Sequence, residues 1–284
     1  MLTSTWAVSL VACIVLVALY KATQATVYYV KWIGFVLLFS LLALVSIPIN
    51  ILKGGRRPDG TNVLGFIPAI RVISWIVGVE WVIEGRERLA KNGGCVVVAN
   101  HQSALDSLLI AELWPTMRKT SVLVKKSILW VFPFGIGVWL AGYIFIDRSS
   151  AASCREGMKE AGQVMTKTGT KIWIFPEGTR SKKGELQVFK RGAFKLALEN
   201  KVPIIPVVIG PYTFIRDEDK WFGRGRVHVS ILPAVETGSY QRKDGTLEID
   251  KLSDNVRDKM NLAFAQLTKQ FDPLNCNNNN NNNK

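Results

Sequence analysis

Two histidines occur among the 284 residues, and one of them stands where an imidazole can do chemistry. His101 follows the apolar run Val96-Val97-Val98-Ala99-Asn100, and Asp106 lies five positions after it. On one continuous helix the two side chains would diverge by about 140°, at roughly 100° per residue. They can therefore meet only if His101 precedes a helix and Asp106 occupies its first turn. There the carboxylate can accept a hydrogen bond from one ring nitrogen, fix the tautomer, and leave the other nitrogen free to take a proton. The same residues also read as helix capping, with Ser103 as the cap and Asp106, three positions on, completing the pair and favouring the helix dipole. The two readings are compatible. The second histidine, His228, lies in an alternating segment, Arg226 to Ile231, that puts it on the polar face of a strand as a surface residue.

The pattern of an apolar strand discharging into a polar or glycine-bearing loop recurs. Phe145-Ile146-Asp147-Arg148 ends in an arginine, and Phe175-Pro176-Glu177-Gly178-Thr179-Arg180 supplies a carboxylate, a glycine, a hydroxyl and a second arginine. Planar guanidinium donors bind phosphate bidentately, so Arg148 and Arg180 at two strand exits point to an anionic ligand. Gly178 is either a turn residue or the point where backbone approaches a ligand. Glu177 either bonds backbone amides or Arg180. Lys125 and Lys126, with Lys190 and Arg191, are secondary phosphate candidates, although each also reads as an ordinary surface charge. Val202 to Val208, bracketed by prolines, looks like support.

The elements that must position these residues follow an α/β rhythm. Strands are predicted at Val79 to Glu84, Cys95 to Ala99, Ser121 to Val124, Tyr143 to Ile146, Ile172 to Phe175, Ile204 to Ile209 and Val227 to Leu232. Helices fit at Ser103 to Leu113, Ala152 to Thr168 and Ala193 to Asn200. Such alternation implies an α/β fold with a largely parallel central sheet flanked by helices, whose carboxyl strand ends converge on one crevice.

Before this domain, Trp6 to Tyr20 is apolar but short, and Trp32 to Leu52 is long and uncharged. Together they predict an N-terminal membrane-associated helical hairpin, either spanning or half-inserted. Lys53, Arg56 and Arg57 follow directly and favour a cytosolic position for what comes next, against the opposing pull of Lys21 and Lys31 in the intervening loop. Val63 to Val77 reads as a helix lying on the membrane or against the domain. Ile128 to Ile146 carries no charge, yet a crossing there would put His101 and the later motifs on opposite sides. Its proline and glycines favour a broken segment, buried or lipid-facing, that could help accommodate an acyl chain. The chain thus divides into 1–60, 61–270 and a tail, 271–284, whose asparagine run has no means of burying a core.

The formal charge of +14 predicts attraction to phosphate, on nucleic acid, anionic lipid or a small substrate, and the apolar N-terminus decides for a membrane over nucleic acid. Four scattered cysteines suggest neither a disulfide framework nor a metal site, and two histidines exclude a His-rich metal centre.

Four ordered stretches, Asn100 to Asp106, Phe145 to Arg148, Phe175 to Arg180 and Val202 to Pro206, resemble the motifs of the glycerolipid acyltransferases, and among them the 1-acyl-sn-glycerol-3-phosphate acyltransferases. The resemblance covers roughly Val79 to Leu232. It implies acyl-CoA as donor and co-substrate with no other cofactor, lysophosphatidic acid as acceptor and phosphatidic acid as product. It implies a catalytic dyad of His101 and Asp106, with Arg148, Glu177, Gly178, Thr179 and Arg180 binding the acceptor. Lys125 matches a lysine often found before the apolar segment. It further implies a membrane protein of the endoplasmic reticulum with its catalytic domain facing the cytosol. The expected alternatives are transfer to glycerol-3-phosphate or another lysophospholipid, and a noncatalytic membrane-anchored binder of anionic lipids, which would have no need of His101. No serine nucleophile elbow is present, which favours direct transfer over an acyl-enzyme.

Overall fold

The computed structural model describes residues 2–181, 185–242 and 245–271, and the asparagine-rich tail lies outside them. The chain opens with a helix, α1 (Leu2–Leu52), of 51 residues. This corrects the expected hairpin. The stretch read as a loop, Lys21 to Lys31, contains no glycine, proline, asparagine or aspartate to end a helix, so the helix runs through it. Lys31 is not a loop charge either, because its ammonium donates to the carbonyls of Val77 (3.0 Å) and Gly223 (2.5 Å). Tyr28, Phe35, Ala43 and Asn50 are buried at intervals of about two turns, so one face of α1 docks on the domain while the other stays exposed and apolar.

A 3-10 turn (Thr61–Phe66) leads into α2 (Ile67–Val77), and β1 (Val79–Glu84) follows. Then come β2 (Val96–Ala99), α3 (Asp106–Met117), β3 (Thr120–Lys125), α4 (Phe134–Leu140), β4 (Ile144–Ile146) and α5 (Ala151–Thr168). The chain continues with β5 (Lys171–Ile174), α6 (Gly192–Glu199), β6 (Ile204–Ile209), β7 (Ile215–Arg216), β8 (Trp221–Phe222), β9 (Gly225–Ile231) and α7 (Ile249–Phe271). Seven strands form one sheet in the order β1-β9-β6-β2-β5-β3-β4, and every pairing is parallel except β6 with β9. A small antiparallel hairpin, β7 with β8, stands outside it.

Strand alternation divides the core into two layers. Val97 and Ala99 of β2 join a cluster with α2, α3 and the docked face of α1, whereas Val96 and Val98 join one with α5, α6 and α7. β2 is buried on both faces, which is why it reads as a continuous apolar run. The uncharged segment 128–146 is broken as expected, into a 3-10 turn (Lys126–Trp130), α4 and β4. The order β6-β2-β5-β3-β4 puts the loops after β6, β2 and β5 side by side, with the ends of β3 and β4 beyond. The predicted site residues lie on these loops or at the ends of the elements beside them, Asp106 as the first residue of α3 and Lys125 as the last of β3.

Candidate active site

His101 leaves β2 in an extended loop, and α3 begins at Asp106, so the pair has the arrangement that lets the two side chains meet. Nδ1 of His101 lies 2.7 Å from Oδ2 of Asp106. The imidazole is 24% exposed and the carboxylate 0%. Oδ2 also accepts from the backbone amides of Gln102 (2.8 Å) and Ser103 (3.1 Å), so the carboxylate holds the turn entering α3 as well as the ring. The dyad is therefore present with half of the capping pair, since Asp106 takes the amide of Ser103 while the Ser103 hydroxyl accepts from the amide of Leu105 (3.2 Å) and not from the first turn of α3. Set against a carboxylate that already accepts from two backbone amides, Nδ1 is placed to be the donor of the pair, an arrangement that leaves Nε2 available to take a proton.

The loop after β5 clamps this histidine. Its backbone amide donates to Oε1 of Glu177 (2.9 Å), and its carbonyl accepts from the amide of Ser181 (2.8 Å). The ring of Phe175 stacks on the imidazole, with centroids 4.0 Å apart and planes inclined by 19°. Glu177 is buried, and its Oε2 accepts from the amide of Gln187 (3.0 Å). Burial pushes its carboxyl up from the usual range, while the two amides pull the other way. Glu177 thus braces the loop through backbone amides, one of the two partnerships the sequence leaves open, instead of presenting a charge to a ligand. Thr179 is also turned aside, its hydroxyl donating to Oε1 of Gln187 (3.1 Å).

The cations gather where the sequence expects them. Arg148, carried from the end of β4, donates through a terminal guanidinium nitrogen to the carbonyl of Gly178 (2.6 Å). Gly178 has φ 73°, and a Cβ there would come within 2.7 Å of Nζ of Lys190 and 3.2 Å of the Arg148 guanidinium. The left-handed backbone favours glycine here, and a Cβ would displace the ends of the Lys190 and Arg148 side chains. Lys125, Arg148, Arg180 and Lys190 all border the same cavity as His101. Lys126, by contrast, pairs with Asp147 (3.3 Å), and Arg191 pairs with Asp250. His228 stacks against Phe271, away from the dyad.

That cavity, of about 880 Å³, extends from the cationic rim past the imidazole into the interior. Its wall follows Ala104 and then one face of α3, where Ser107, Ile110, Ala111 and Trp114 recur at helical spacing, and it is closed by Phe35, Phe39 and Ala43 of α1. Gly137 of α4 lets the two helices approach, since a Cβ there would lie 2.9 Å from that of Ala43.

Sequence reading missed several residues that fix the dyad. The side chain of Asn100 pairs with both the amide (2.7 Å) and the carbonyl (2.9 Å) of Ile209. Gln102 donates to the carbonyls of Ile209 (2.7 Å) and Gly210 (3.0 Å). Tyr212 donates from its hydroxyl to Oδ1 of Asp106 (2.6 Å). The one signal for Tyr212 was its place at the exit of an apolar strand, the position that singles out His101, Arg148 and Glu177.

Residues 80–210 match the family model described as Acyltransferase, a span that holds the dyad and its clamp. The chain is 30% identical over 266 residues to 1-acyl-sn-glycerol-3-phosphate acyltransferase beta of Homo sapiens, covering 93% of this chain and 93% of that one. It is 33% identical over 242 residues to the alpha form of Bos taurus, covering 85% and 79%. Among solved structures, the 1-acyl-sn-glycerophosphate acyltransferase PlsC of Thermotoga maritima superposes with a TM-score of 0.61 at 22% identity, over 85% of this chain and 98% of that one, a likeness of fold. A similarity that runs through nearly the whole length of its relatives, and is not confined to the motif loops, places the chain in the 1-acyl-sn-glycerol-3-phosphate acyltransferase family.

Proposed function

We propose that the protein transfers a fatty acyl chain from acyl-CoA to the sn-2 hydroxyl of lysophosphatidic acid, giving phosphatidic acid for glycerophospholipid and triacylglycerol synthesis. The observation that carries this reading is the position of the dyad, at the junction between a cationic rim and an apolar cavity. A lysophospholipid acceptor with a terminal phosphate has the charge to match Arg148, Arg180 and the neighbouring lysines. An acyl chain has the shape and polarity to match the cavity. The names of the similar proteins, all acting on 1-acyl-sn-glycerol-3-phosphate, favour that acceptor over glycerol-3-phosphate.

In the reaction, Nε2 of His101 takes the proton of the acceptor hydroxyl as its oxygen attacks the thioester carbonyl. The carbon–sulfur bond breaks, the ester forms, and the imidazolium returns its proton to the departing thiolate. Asp106 holds the ring and balances its transient charge, while the anchored phosphate fixes the hydroxyl within reach. The acyl-CoA is consumed as a co-substrate, and no further cofactor enters the scheme.

We also assign this chemistry to a membrane surface, as an integral or monotopic protein of the endoplasmic reticulum with the catalytic domain on the cytosolic side. The support is the apolar helical stretch Cys13–Leu52, which contains an 18-residue window of mean hydropathy 2.5, together with exposed aromatic rings. Trp130, Phe132 and Trp75 are 80%, 72% and 70% exposed. Arg224 lies over Trp75 (5.6 Å) and Arg56 over Trp139 (6.0 Å), pairing aromatic rings with cations as a headgroup boundary favours.

The test is an acceptor panel. Purified protein supplied with acyl-CoA should acylate lysophosphatidic acid in preference to glycerol-3-phosphate, lysophosphatidylcholine and lysophosphatidylethanolamine. Transfer to lysophosphatidylcholine but not to lysophosphatidic acid would contradict the reading.

A further inference from the structure

The dyad has a third member, carried on the loop that follows β6. Asp106 has two oxygens in different situations. Oδ2 takes the imidazole and two backbone amides, whereas Oδ1, among the described residues, takes one hydrogen bond, from the hydroxyl of Tyr212 at 2.6 Å. The carboxylate is fully buried, so without that donor a charged oxygen would be left with no partner and no water.

Tyr212 is held as firmly as the pair it serves. Its ring packs edge-on against Trp81 (centroids 6.3 Å apart) and Phe214 (6.0 Å). The backbone just before it is tied to the histidine loop by Asn100 and Gln102, through the carbonyls of Ile209 and Gly210. Burial and the neighbouring carboxylate push its phenol well above 10, so it remains a proton donor wherever the enzyme works.

We propose that Tyr212 is a positioning residue for acyl transfer, which orients Asp106 through Oδ1 and limits how tightly that carboxylate holds the proton on His101. This inference rests on the acyl-transfer reading above. The physics is that of a shared anion. A phenol donating to Oδ1 draws charge away from Oδ2, and so weakens the grip of the carboxylate on the imidazolium. The other charged groups around the dyad are Glu177, committed to backbone amides, and Lys125, Arg148, Arg180 and Lys190 at the cavity mouth, all of which the substitution leaves in place.

Tyr212→Phe, made in the full-length chain, should lower kcat by about tenfold or more, the effect of one hydrogen bond to a charged group. KM for donor and acceptor should stay within about twofold, because the hydroxyl touches neither. The acidic limb of the rate profile should move to higher pH, by roughly half a unit or more, because the carboxylate then concentrates its charge on the ring. A double-mutant cycle separates this from a packing effect. In an Asp106→Asn background, adding Tyr212→Phe should cost less than about twofold in residual activity. An equal loss in both backgrounds, or an unmoved acidic limb, overturns the proposal. If Tyr212→Phe alone folds poorly, the cycle still decides, since Asp106→Asn removes the charge whose burial would be at fault.

A readout free of substrate distinguishes this failure from that of the functional reading. The chain has two histidines, so isotopic labelling of histidine yields two rings to assign. The Nδ1–H resonance of His101 should shift in Tyr212→Phe relative to wild type even if the acceptor proves to be another lysophospholipid. An unchanged resonance overturns the role of Tyr212 and leaves the acceptor assignment standing.

Discussion

Asp106 does two things with one oxygen, closing the turn into α3 and orienting the imidazole, so a single substitution bears on both. Asp106→Asn, with its oxygen in the place of Oδ2, still accepts from the backbone amides and from Nδ1 but turns its NH2 toward Tyr212, so the negative charge that balances the imidazolium is lost. We expect kcat to fall by about 10²–10⁴-fold with substrate binding little changed, as measured by initial rates over both substrates. Arg180→Ala should act differently, raising KM for lysophosphatidic acid while leaving KM for acyl-CoA near wild type. A defect confined to the donor would contradict a phosphate role. Glu177→Gln probes the clamp. One amide then faces a donor in place of an acceptor, which should cost about 1–3 kcal/mol of stability, read by thermal or denaturant unfolding. The dyad was legible in the sequence because its partners are five residues apart and the apolar run fixes where the helix starts. Tyr212 as a donor was not, since it meets the dyad from a strand exit distant in sequence that only the sheet order brings alongside, and the same order decides for backbone amides between the two partnerships the sequence leaves open to Glu177.

At the scale of elements, α3 both carries Asp106 and lines the cavity, so the distance from the reacting centre to the cavity wall is set by helical spacing. Under the proposed function, Ala111→Phe fills the space one turn beyond Ser107 and should shift preference toward shorter acyl chains, measured by competing acyl-CoA donors of graded length. Unchanged selectivity would remove the acyl chain from this cavity. The parallel strands and α5 and α6 were legible because buried β-branched runs and amphipathic periodicity are local signals. α1 was misread as a hairpin because two lysines near its middle look like loop charges. One of them, Lys31, finds backbone carbonyls from α2 and the β8–β9 turn. α7 went unpredicted although Leu252, Val256, Met260, Ala263 and Leu267 recur on one face, because abundant charge on its other face masks the pattern. The β7–β8 hairpin has two residues per strand, too few for any period to show.

For the whole molecule, the length of α1 is the dominant fact. At 1.5 Å per residue a helix of 51 residues is about 77 Å long, more than twice the roughly 30 Å of a bilayer core. Its C-terminal half is not free to act as an anchor alone, because residues from Tyr28 to Asn50 are docked and form a wall of the cavity. Deleting residues 2–26 should therefore leave acyl transfer in detergent largely intact, whereas deleting 2–52 should abolish it and expose the cavity, with activity and dye binding as the readouts. Replacing Trp130 and Phe132 with alanine should weaken binding to anionic vesicles in flotation assays without changing turnover in detergent micelles. The net charge pointed toward phosphate in general, and only the apolar segments and the site geometry narrow that to lipid.

The most direct measurement compares wild type with His101→Ala on lysophosphatidic acid and acyl-CoA, at matched folding by circular dichroism and matched vesicle binding. A loss of about 10²–10⁴-fold in turnover with membrane association intact is the predicted result. Turnover equal to wild type would show that the imidazole held by Asp106 is not the base.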